Sequence, residues 1–133
     1  MSASGAEQRV IAILGAGGTL GEAIAAQLAG EPGTALVVSD VSAPSLEATI
    51  AGLPDSGGPV ETVLADVSDF GQVEAVVARA LDRFGHLDVL VSNAGVLAPN
   101  GRIHNLSAED WDRTFQINVM GSVNAIRSAV PPM

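Results

Sequence analysis

Apolar and polar residues alternate along this chain in blocks, with short continuous apolar runs separated by longer stretches of helical spacing. Continuous apolar runs of this length predict strands that are buried on both faces. Apolar residues that recur every three or four positions predict helices with one buried face. The predicted strands are residues 10–14, 35–39, 61–65 and 87–92, and the predicted helices are residues 20–29, 43–53, 68–84 and 108–130.

Local signals mark the ends of several predicted helices. Ser42 is placed to cap the second helix, and Gly85 follows the third helix where a left-handed C-cap belongs. Ser107 and Asp110 have the spacing of a capping box at the start of the last helix. Strands that alternate with helices predict an α/β fold, a single domain over residues 1–133 with a parallel sheet covered on both faces.

The glycine-rich stretch between the first strand and the first helix is a candidate phosphate-binding loop. Glycines there permit a tight turn and a close approach of the backbone to a pyrophosphate, and the helix N-terminus offers free N–H groups to the anion. A plain turn between strand and helix is the alternative interpretation. The candidate residues of this loop are Gly15, Gly17, Gly18, Thr19, Leu20 and Gly21.

An acidic residue ends the second predicted strand at the distance expected for a dinucleotide site. Asp40 lies 19 residues after Gly21 (40 − 21) and can accept hydrogen bonds from the adenosine ribose. Its carboxylate would repel a 2′-phosphate, and neither Val41 nor Ser42 supplies a compensating cation. The pattern therefore predicts NAD as the cofactor, in preference to NADP; the alternative is that Asp40 only solvates the strand end.

Composition removes several kinds of chemistry. The 133 residues include 15 acidic side chains and six arginines, for a net charge of −9, and no lysine, tyrosine or cysteine. Disulfides, thiolate nucleophiles, cysteine metal clusters, Schiff-base lysines and tyrosine acids are therefore excluded within this sequence, and we predict no metal site. The acidic balance also argues against nucleic acid as a partner.

The mean hydropathy of the chain is high enough that a membrane-spanning segment must be considered. Mean hydropathy is +0.36, yet no apolar run approaches the ~18–20 residues that span a bilayer. The first nine residues include Glu7 and Arg9 and lack an apolar signal core. We therefore expect no membrane association and a cytoplasmic location.

Three further segments complete a family pattern. Asp66-Val67 follows the third predicted strand, Asn93-Ala94-Gly95 ends the fourth, and Asn118 lies in a segment that begins at Trp111 and ends at Gly121. Together with the glycine loop, these segments resemble the short-chain dehydrogenase/reductase family over about residues 10–132. The resemblance implies a Rossmann-type doubly wound parallel sheet with strand order 3-2-1-4, which stops before the family's fifth strand.

The resemblance also implies roles for individual residues. Gly15 and Gly21 would be the first and last glycines of the phosphate loop. Asp66 would bind the adenine amino group, with the Val67 backbone beside it; the alternative is that Asp66 caps the helix that starts near Ser68. Asn118 would hold a water in the proton relay and is the one catalytic residue of the family found here; the alternative is that its amide only satisfies a local carbonyl. The turn that would pass the nicotinamide-side ribose consists of Asn93, Ala94 and Gly95.

The loop departs from the family pattern at two positions. Leu14 stands where the family has a threonine, and Thr19 stands where it has its middle glycine. Gly18 lies one residue earlier, so the loop also fits a Gly-x-x-Gly-x-x-Gly spacing. These departures bear on the details of phosphate contact, and NAD binding is still expected.

The rest of the family's catalytic set is missing. The family uses a serine after its fifth strand and a Tyr-x-x-x-Lys pair, and this sequence contains neither tyrosine nor lysine. We therefore expect the cofactor-binding half of an enzyme that transfers hydride between NAD(H) and an alcohol or ketone, inactive by itself. A natural half-protein completed by another chain, and a non-enzymatic dinucleotide-binding or interaction module, are the alternatives.

The fourth predicted strand has a bearing on assembly. Without a fifth strand beside it, the apolar run 87–92 forms a bare sheet edge, with no charge or proline at residues 89–91 to protect it. Exposed apolar surface of this kind favours self-association. We therefore expect a homo-oligomer.

Overall fold

The computed structural model describes residues 7–97 and 99–133, which form one parallel sheet and its covering helices. The strands are β1 (Arg9–Leu14), β2 (Thr34–Asp40), β3 (Val60–Leu64) and β4 (Val89–Ser92). The helices are α1 (Thr19–Ala29), α2 (Ala43–Ala51), α3 (Phe70–Phe84), α4 (Ala108–Phe115) and α5 (Gly121–Ala129). The sheet order β3-β2-β1-β4 confirms the predicted topology. Residues 1–6 of the predicted domain lie outside the described residues, as does Ala98 of the loop after β4.

Alternate residues of the central strands enter two separate cores. Val10, Ala12 and Leu14 of β1 face α3 and α5, whereas Ile11 and Ile13 face α1 and α2. Side chains alternate across a strand, so a strand covered on both faces must be apolar throughout. This explains why the strands are continuous apolar runs. Within the described residues, no helix has both the length and the apolar character needed to cross a membrane.

Most of the predicted helix ends are confirmed. The Ser42 hydroxyl accepts a hydrogen bond from the Ser45 N–H at the start of α2. Ser107 and Asp110 form the complete capping box of α4. Gly85 ends α3 with a φ of +84°, a left-handed conformation that glycine adopts without the steric cost of a Cβ.

The start of α3 differs from the prediction. The sequence suggests a helix from residue 68, but Asp69 is the N-cap and its carboxylate accepts a hydrogen bond from the Gln72 N–H. Ser68 lies in the preceding turn, where its N–H and hydroxyl both donate to Asp66 Oδ1. The two acidic residues therefore have separate roles, since Asp66 stabilises the turn and Asp69 caps the helix.

The last helix also differs from the single helix predicted for residues 108–130. A π-helical segment, Gln116–Met120, separates α4 from α5, and α5 ends at Ala129. A π segment adds a residue to a turn and is found frequently at functional sites. Asn118 lies in this segment.

The strand β4 begins later than predicted, at Val89. Asp88 explains the difference, because its carboxylate accepts a hydrogen bond from the Val10 N–H at 2.7 Å in place of a strand carbonyl. His86, for which the sequence shows no partner, is also engaged: Nε2 lies 2.8 Å from the Gln8 carbonyl oxygen. That hydrogen bond raises the pKa of His86, assisted by the nearby charge of Asp88.

Candidate functional site

A cavity of about 370 Å³ opens at the carboxyl ends of the parallel strands. In open α/β sheets ligands bind at this edge, at the point where the strand order reverses. Here that point is β1, because β2 and β3 follow on one side of it and β4 lies on the other. The wall combines the loops that follow all four strands with one face of α4 and the π segment. Its predicted members are Gly15, Gly18, Asp40, Asp66, Val67, Asn93, Ala94 and Gly95.

The loop between β1 and α1 is held by side chains from other strands. The Asn93 amide Nδ2 donates to the Gly15 carbonyl at 3.0 Å, and Asp40 Oδ2 accepts a hydrogen bond from the Gly17 N–H at 2.9 Å. Asp40 Oδ1 accepts a second hydrogen bond, from the Ser42 N–H. Two residues predicted to bind the cofactor therefore also fix the conformation of the loop.

A third hydrogen bond reaches the loop from α2, and the sequence gives little sign of it. The buried Thr49 hydroxyl donates to the Ala16 carbonyl at 2.8 Å, while the Ala16 N–H donates to the Ser39 carbonyl at the end of β2. A buried backbone carbonyl without a partner costs free energy, so Thr49 stabilises this particular loop conformation.

Glycine is required at two positions of this loop. Gly15 has a φ of +76°, and a Cβ there would lie 2.6 Å from the Ala94 nitrogen. A Cβ on Gly21 would lie 2.1 Å from the Gly15 carbonyl oxygen. The first contact is between two loops at the cavity, and the second is between the loop and α1. Neither site accepts a side chain without a backbone shift.

The N-terminus of α1 is left without a side-chain cap. Its N-cap is Gly18, which is extended and has no side chain to bond the first-turn N–H groups. Gly18 is exposed and lines the cavity, and Thr19 and Leu20 follow it as exposed residues. Free N–H groups and the positive end of the helix dipole therefore lie beside the cavity, an arrangement that favours an anion.

The turn after β3 presents a hydrogen-bond acceptor and a donor side by side. Asp66 Oδ1 is occupied by Ser68, and the Asp66 N–H donates to the Gln72 side chain at 2.8 Å. Within the described part of the chain, neither Asp66 Oδ2 nor the Val67 N–H has a hydrogen-bond partner. Both residues line the cavity, so a ligand there meets one carboxylate oxygen and one backbone N–H.

A second cavity, of about 420 Å³, adjoins the first. The turn Ala94-Gly95 lines both cavities, and Asn118 lines the second. The Asn118 side chain makes two hydrogen bonds to one residue: Oδ1 accepts from the Val96 N–H at 2.7 Å and Nδ2 donates to the Val96 carbonyl at 2.8 Å. An asparagine amide has two donors and two acceptor sites, so one of each remains for a water or ligand.

Not every predicted residue lies at the first cavity. All of the following are within the described ranges but outside its wall: Gly17, Thr19, Leu20, Gly21 and Asn118. Conversely, sequence reasoning missed Arg113, Gln116 and Ile117, which line it from α4 and the π segment. Their spacing of three to four residues is the signal that could have identified them, since it places them on one helix face.

The electrostatics of the cavity are mixed. Its wall contains two carboxylates, Asp40 and Asp66, and a single guanidinium, that of Arg113. Among residues 7–97 and 99–133, no group of three His, Asp or Glu side chains could hold a metal ion. Binding of an anion would therefore depend on the N-terminus of α1 and on Arg113, against a net charge of −9.

Comparisons with known proteins agree with this geometry. The chain is 39% identical over 128 residues to 2,3-dihydro-2,3-dihydroxybenzoate dehydrogenase of Bacillus subtilis, which covers 96% of this chain and 48% of the relative. It superposes on the crystal structure of levodione reductase with a TM-score of 0.87 and 37% identity, over 95% of this chain and 49% of that one. A short chain dehydrogenase/reductase from Burkholderia phymatum in complex with NAD gives a TM-score of 0.88 and 38% identity, over 96% and 44%.

The extent of these matches matters as much as their quality. The chain spans about half the length of the curated relatives it matches. Within it, residues 9–133 match the sequence profile described as short chain dehydrogenase. The chain therefore belongs to the short-chain dehydrogenase/reductase family.

Proposed function

We propose that the cavity binds NAD and that this chain is the cofactor-binding portion of an oxidoreductase acting on an alcohol or ketone. The observation that supports this most is the N-terminus of α1, which opens on the cavity through a glycine loop and has no side-chain cap. A pyrophosphate is an anion that such an end accommodates. When bound, NAD supplies the hydride acceptor, and its reduced form supplies the donor.

The turn at Asp66 and Val67 suits an adenine ring. Adenine presents an amino donor next to a ring-nitrogen acceptor, and the turn presents the complementary pair of Asp66 Oδ2 and the Val67 N–H. Hypoxanthine has the reverse arrangement, a carbonyl oxygen next to an N–H. We therefore expect AMP to bind more tightly than IMP.

Asp40 supports NAD in preference to NADP. Its carboxylate is fixed at the cavity wall by the N–H groups of Gly17 and Ser42, so it cannot easily turn away from a ligand. A 2′-phosphate beside it would place two negative charges in contact. The test is a calorimetric titration of NAD and NADP against the chain and its Asp40→Ala variant, which should lose the preference for NAD. Tighter binding of NADP by the unaltered chain would contradict this role.

On the nicotinamide side, the turn Asn93-Ala94-Gly95 leads from the first cavity to the second. Asn118 lies there in the π segment, with one N–H and one acceptor site left after its two bonds to Val96. This supports the role that the family resemblance implies, in which Asn118 holds a water for the proton relay. The second cavity would then adjoin the reacting end of the cofactor.

By itself the chain should not turn over substrate. General acid–base chemistry of this family's kind needs a tyrosine whose pKa is lowered by a lysine, and the sequence contains neither. Oxidation of NADH by the purified 133-residue chain in the presence of ketones should stay at background. Turnover above background would contradict the proposal.

The coding sequence distinguishes part of a longer enzyme from a protein that ends at Met133. A reading frame that continues with a serine and a Tyr-x-x-x-Lys pair identifies it as part of an enzyme. A stop codon directly after Met133 would favour the alternatives, a non-enzymatic dinucleotide-binding or interaction module or a natural half-protein completed by another chain.

The surface of the last helical run supports self-association. Phe115, Val119, Ile126 and Val130 are 54%, 46%, 61% and 61% exposed, although all four are large and apolar. Spacings of four and eleven residues place them on neighbouring parts of one helical surface. Sedimentation of the chain should therefore give a homo-oligomer, and a monomer at micromolar concentration would contradict this expectation.

A further inference from the structure

The helix α5 makes a direct contact with the turn that we assign to adenine. Asn124 is 96% buried, with a relative exposure of only 4%, and its Nδ2 donates to the Val67 carbonyl at 2.9 Å. The two residues are 57 positions apart in the sequence. This hydrogen bond joins α5 to the turn after β3, and without it the Val67 carbonyl would lose its hydrogen-bond partner.

A second residue of α5 packs against the side chain of Val67. Gly121 packs so closely that a Cβ there would lie 2.7 Å from Val67 Cγ2 and 3.2 Å from Val67 Cβ. Gly121 and Asn124 are three residues apart, so both lie on the helix face that meets the turn. Val67 is thus held twice, by its carbonyl and by its isopropyl group.

The consequence for the cavity concerns the backbone conformation at Val67, whose N–H and carbonyl belong to two successive peptide groups. The hydrogen bond to the Val67 carbonyl fixes the rotation on one side of the residue, and the packing against Gly121 restricts the residue itself. The Val67 N–H, on the other side, has no hydrogen-bond partner in the described part of the chain and lies at the cavity wall. The peptide group that carries this N–H is also held through the Asp66 carbonyl, which accepts a hydrogen bond from the Asp69 N–H at 3.1 Å. The helix α5 therefore acts on the N–H through the backbone of Val67, whose conformation it restricts.

We propose that Asn124 is a positioning residue that, with Gly121, orients the Asp66-Val67 donor–acceptor pair for adenine. This inference rests on the proposed function, since it concerns the base-recognition end of the same cavity. Asn124 touches no ligand in this proposal. Its effect is on which base the turn prefers, because a rotated Val67 N–H would no longer match the adenine ring nitrogen.

The test uses the 133-residue chain with AMP and IMP as calorimetric probes, since they differ only at the edge that the turn recognises. Asn124→Leu removes the donor at nearly constant volume, and Asn124→Ala serves if leucine is not accommodated. Either variant should weaken AMP binding about tenfold, the scale of one or two well-oriented hydrogen bonds, and should bring the affinities for AMP and IMP close together. Gly121→Ala, which pushes on the same residue by contact, should act in the same direction.

Two controls separate positioning from general loss of stability. Ser128→Ala removes a second buried polar group from α5, a hydroxyl whose hydrogen bond to the Ala125 carbonyl stays within the helix. Ile11→Val weakens the core on the opposite face of the sheet. Both should retain the AMP preference, even where the urea midpoint falls.

The outcomes are distinct. Retention of the full AMP preference by the Asn124 variants, or its equal loss in Ile11→Val, would overturn the positioning role. Failure of the unaltered chain to bind AMP would instead overturn the proposed function, and this inference with it.

Discussion

The first-turn N–H groups of a helix need hydrogen-bond partners, and in this respect α1 differs from α2, α3 and α4. The three latter helices begin with a side chain that bonds the first-turn N–H groups, supplied by Ser42, Asp69 and Ser107. The helix α1 begins with Gly18 and has no such bond. Free N–H groups cost stability unless something binds them. The capped ends stabilise the fold, whereas under the proposed function the N–H groups of the uncapped end are available to the cofactor.

The two kinds of helix end also differ in the origin of their support. The capped ends depend on residues within three positions of each other, as in the Ser107–Asp110 box. The open end depends on distant residues, since Asn93 and Thr49 reach the loop from 78 and 33 positions away. A site that must leave its own donors free has to be stabilised from outside.

The largest effect is expected at Gly21. In Gly21→Ala the new Cβ would lie 2.1 Å from the Gly15 carbonyl oxygen and 2.9 Å from Asn93 Nδ2, so the loop must move. NADH binding, measured by fluorescence titration, should fall by at least about 100-fold, a loss of roughly 2.7 kcal/mol.

The matched control for Gly21 is Gly71, in the first turn of the capped helix α3. A Cβ on Gly71 would have its nearest contact at 3.4 Å, with Asp69 Oδ1. Gly71→Ala should leave NADH binding unchanged and raise the free energy of unfolding by up to about 1 kcal/mol, since alanine is the better helix former. Equal behaviour of the two variants would remove the distinction between the open and the capped ends.

The next effect is expected at Thr49, which should influence stability and binding together. Thr49→Val leaves the buried Ala16 carbonyl without its 2.8 Å hydrogen bond, which should lower the free energy of unfolding by about 1–3 kcal/mol. The glycine loop loses a support, so the Kd for NADH should rise several-fold. Thr114→Val is the control, because the Thr114 hydroxyl donates to the Asp110 carbonyl one turn earlier in α4 and, among the described residues, to no other segment. A Kd that rises equally in both variants would contradict the role of Thr49.

A smaller effect, confined to stability, is expected at a capped end. Ser107→Ala removes the hydroxyl that accepts the hydrogen bond of the Asp110 N–H, whereas the Ser107 N–H still donates to Asp110, and this loss should lower the free energy of unfolding by about 1 kcal/mol. The Kd for NADH should stay within a factor of about two of the unaltered chain, since the cap lies outside the cavity wall. Urea denaturation and NADH titration of the same preparation check both parts. A large change in Kd would show that the closed ends also serve the ligand.

The smallest effect is a pH dependence at His86, far from either kind of helix end. Donation to the Gln8 carbonyl raises the pKa of His86 above 6.5, so its stabilising effect is complete below the unfolded value and disappears as pH rises through the folded value. Urea midpoints should therefore fall slightly as pH rises from about 6.5, and this slope should be absent in His86→Gln. The matched variant at exposed His104, His104→Gln, should keep the slope, and a slope retained in His86→Gln would refute this assignment.

Features that depend on neighbours in the chain were predictable from sequence. The strand–helix alternation, the Ser107–Asp110 box and the left-handed Gly85 all follow from local patterns, and the structure shows each of them. The carboxyl-edge location of Asp40, Asp66 and Asn93 follows as well, because each ends or follows a parallel strand. The same reasoning was wrong where two neighbouring residues could both begin a helix. The sequence predicts that α3 begins at Ser68, but Asp69 is its N-cap and Ser68 lies in the preceding turn.

What the sequence determined by itself is the order of elements, the residues at the carboxyl edge, and the lack of the tyrosine and lysine that the family's chemistry uses. Only the tertiary structure decided which donor meets which acceptor. Thr49 supports the glycine loop, Asn118 binds Val96, and Asn124 holds Val67, over separations of 33, 22 and 57 residues. Propensities and caps act within a turn or two of the chain. Hydrogen bonds between distant segments depend instead on how the sheet and helices pack. The pattern of residues along the chain does not show which distant segments come into contact.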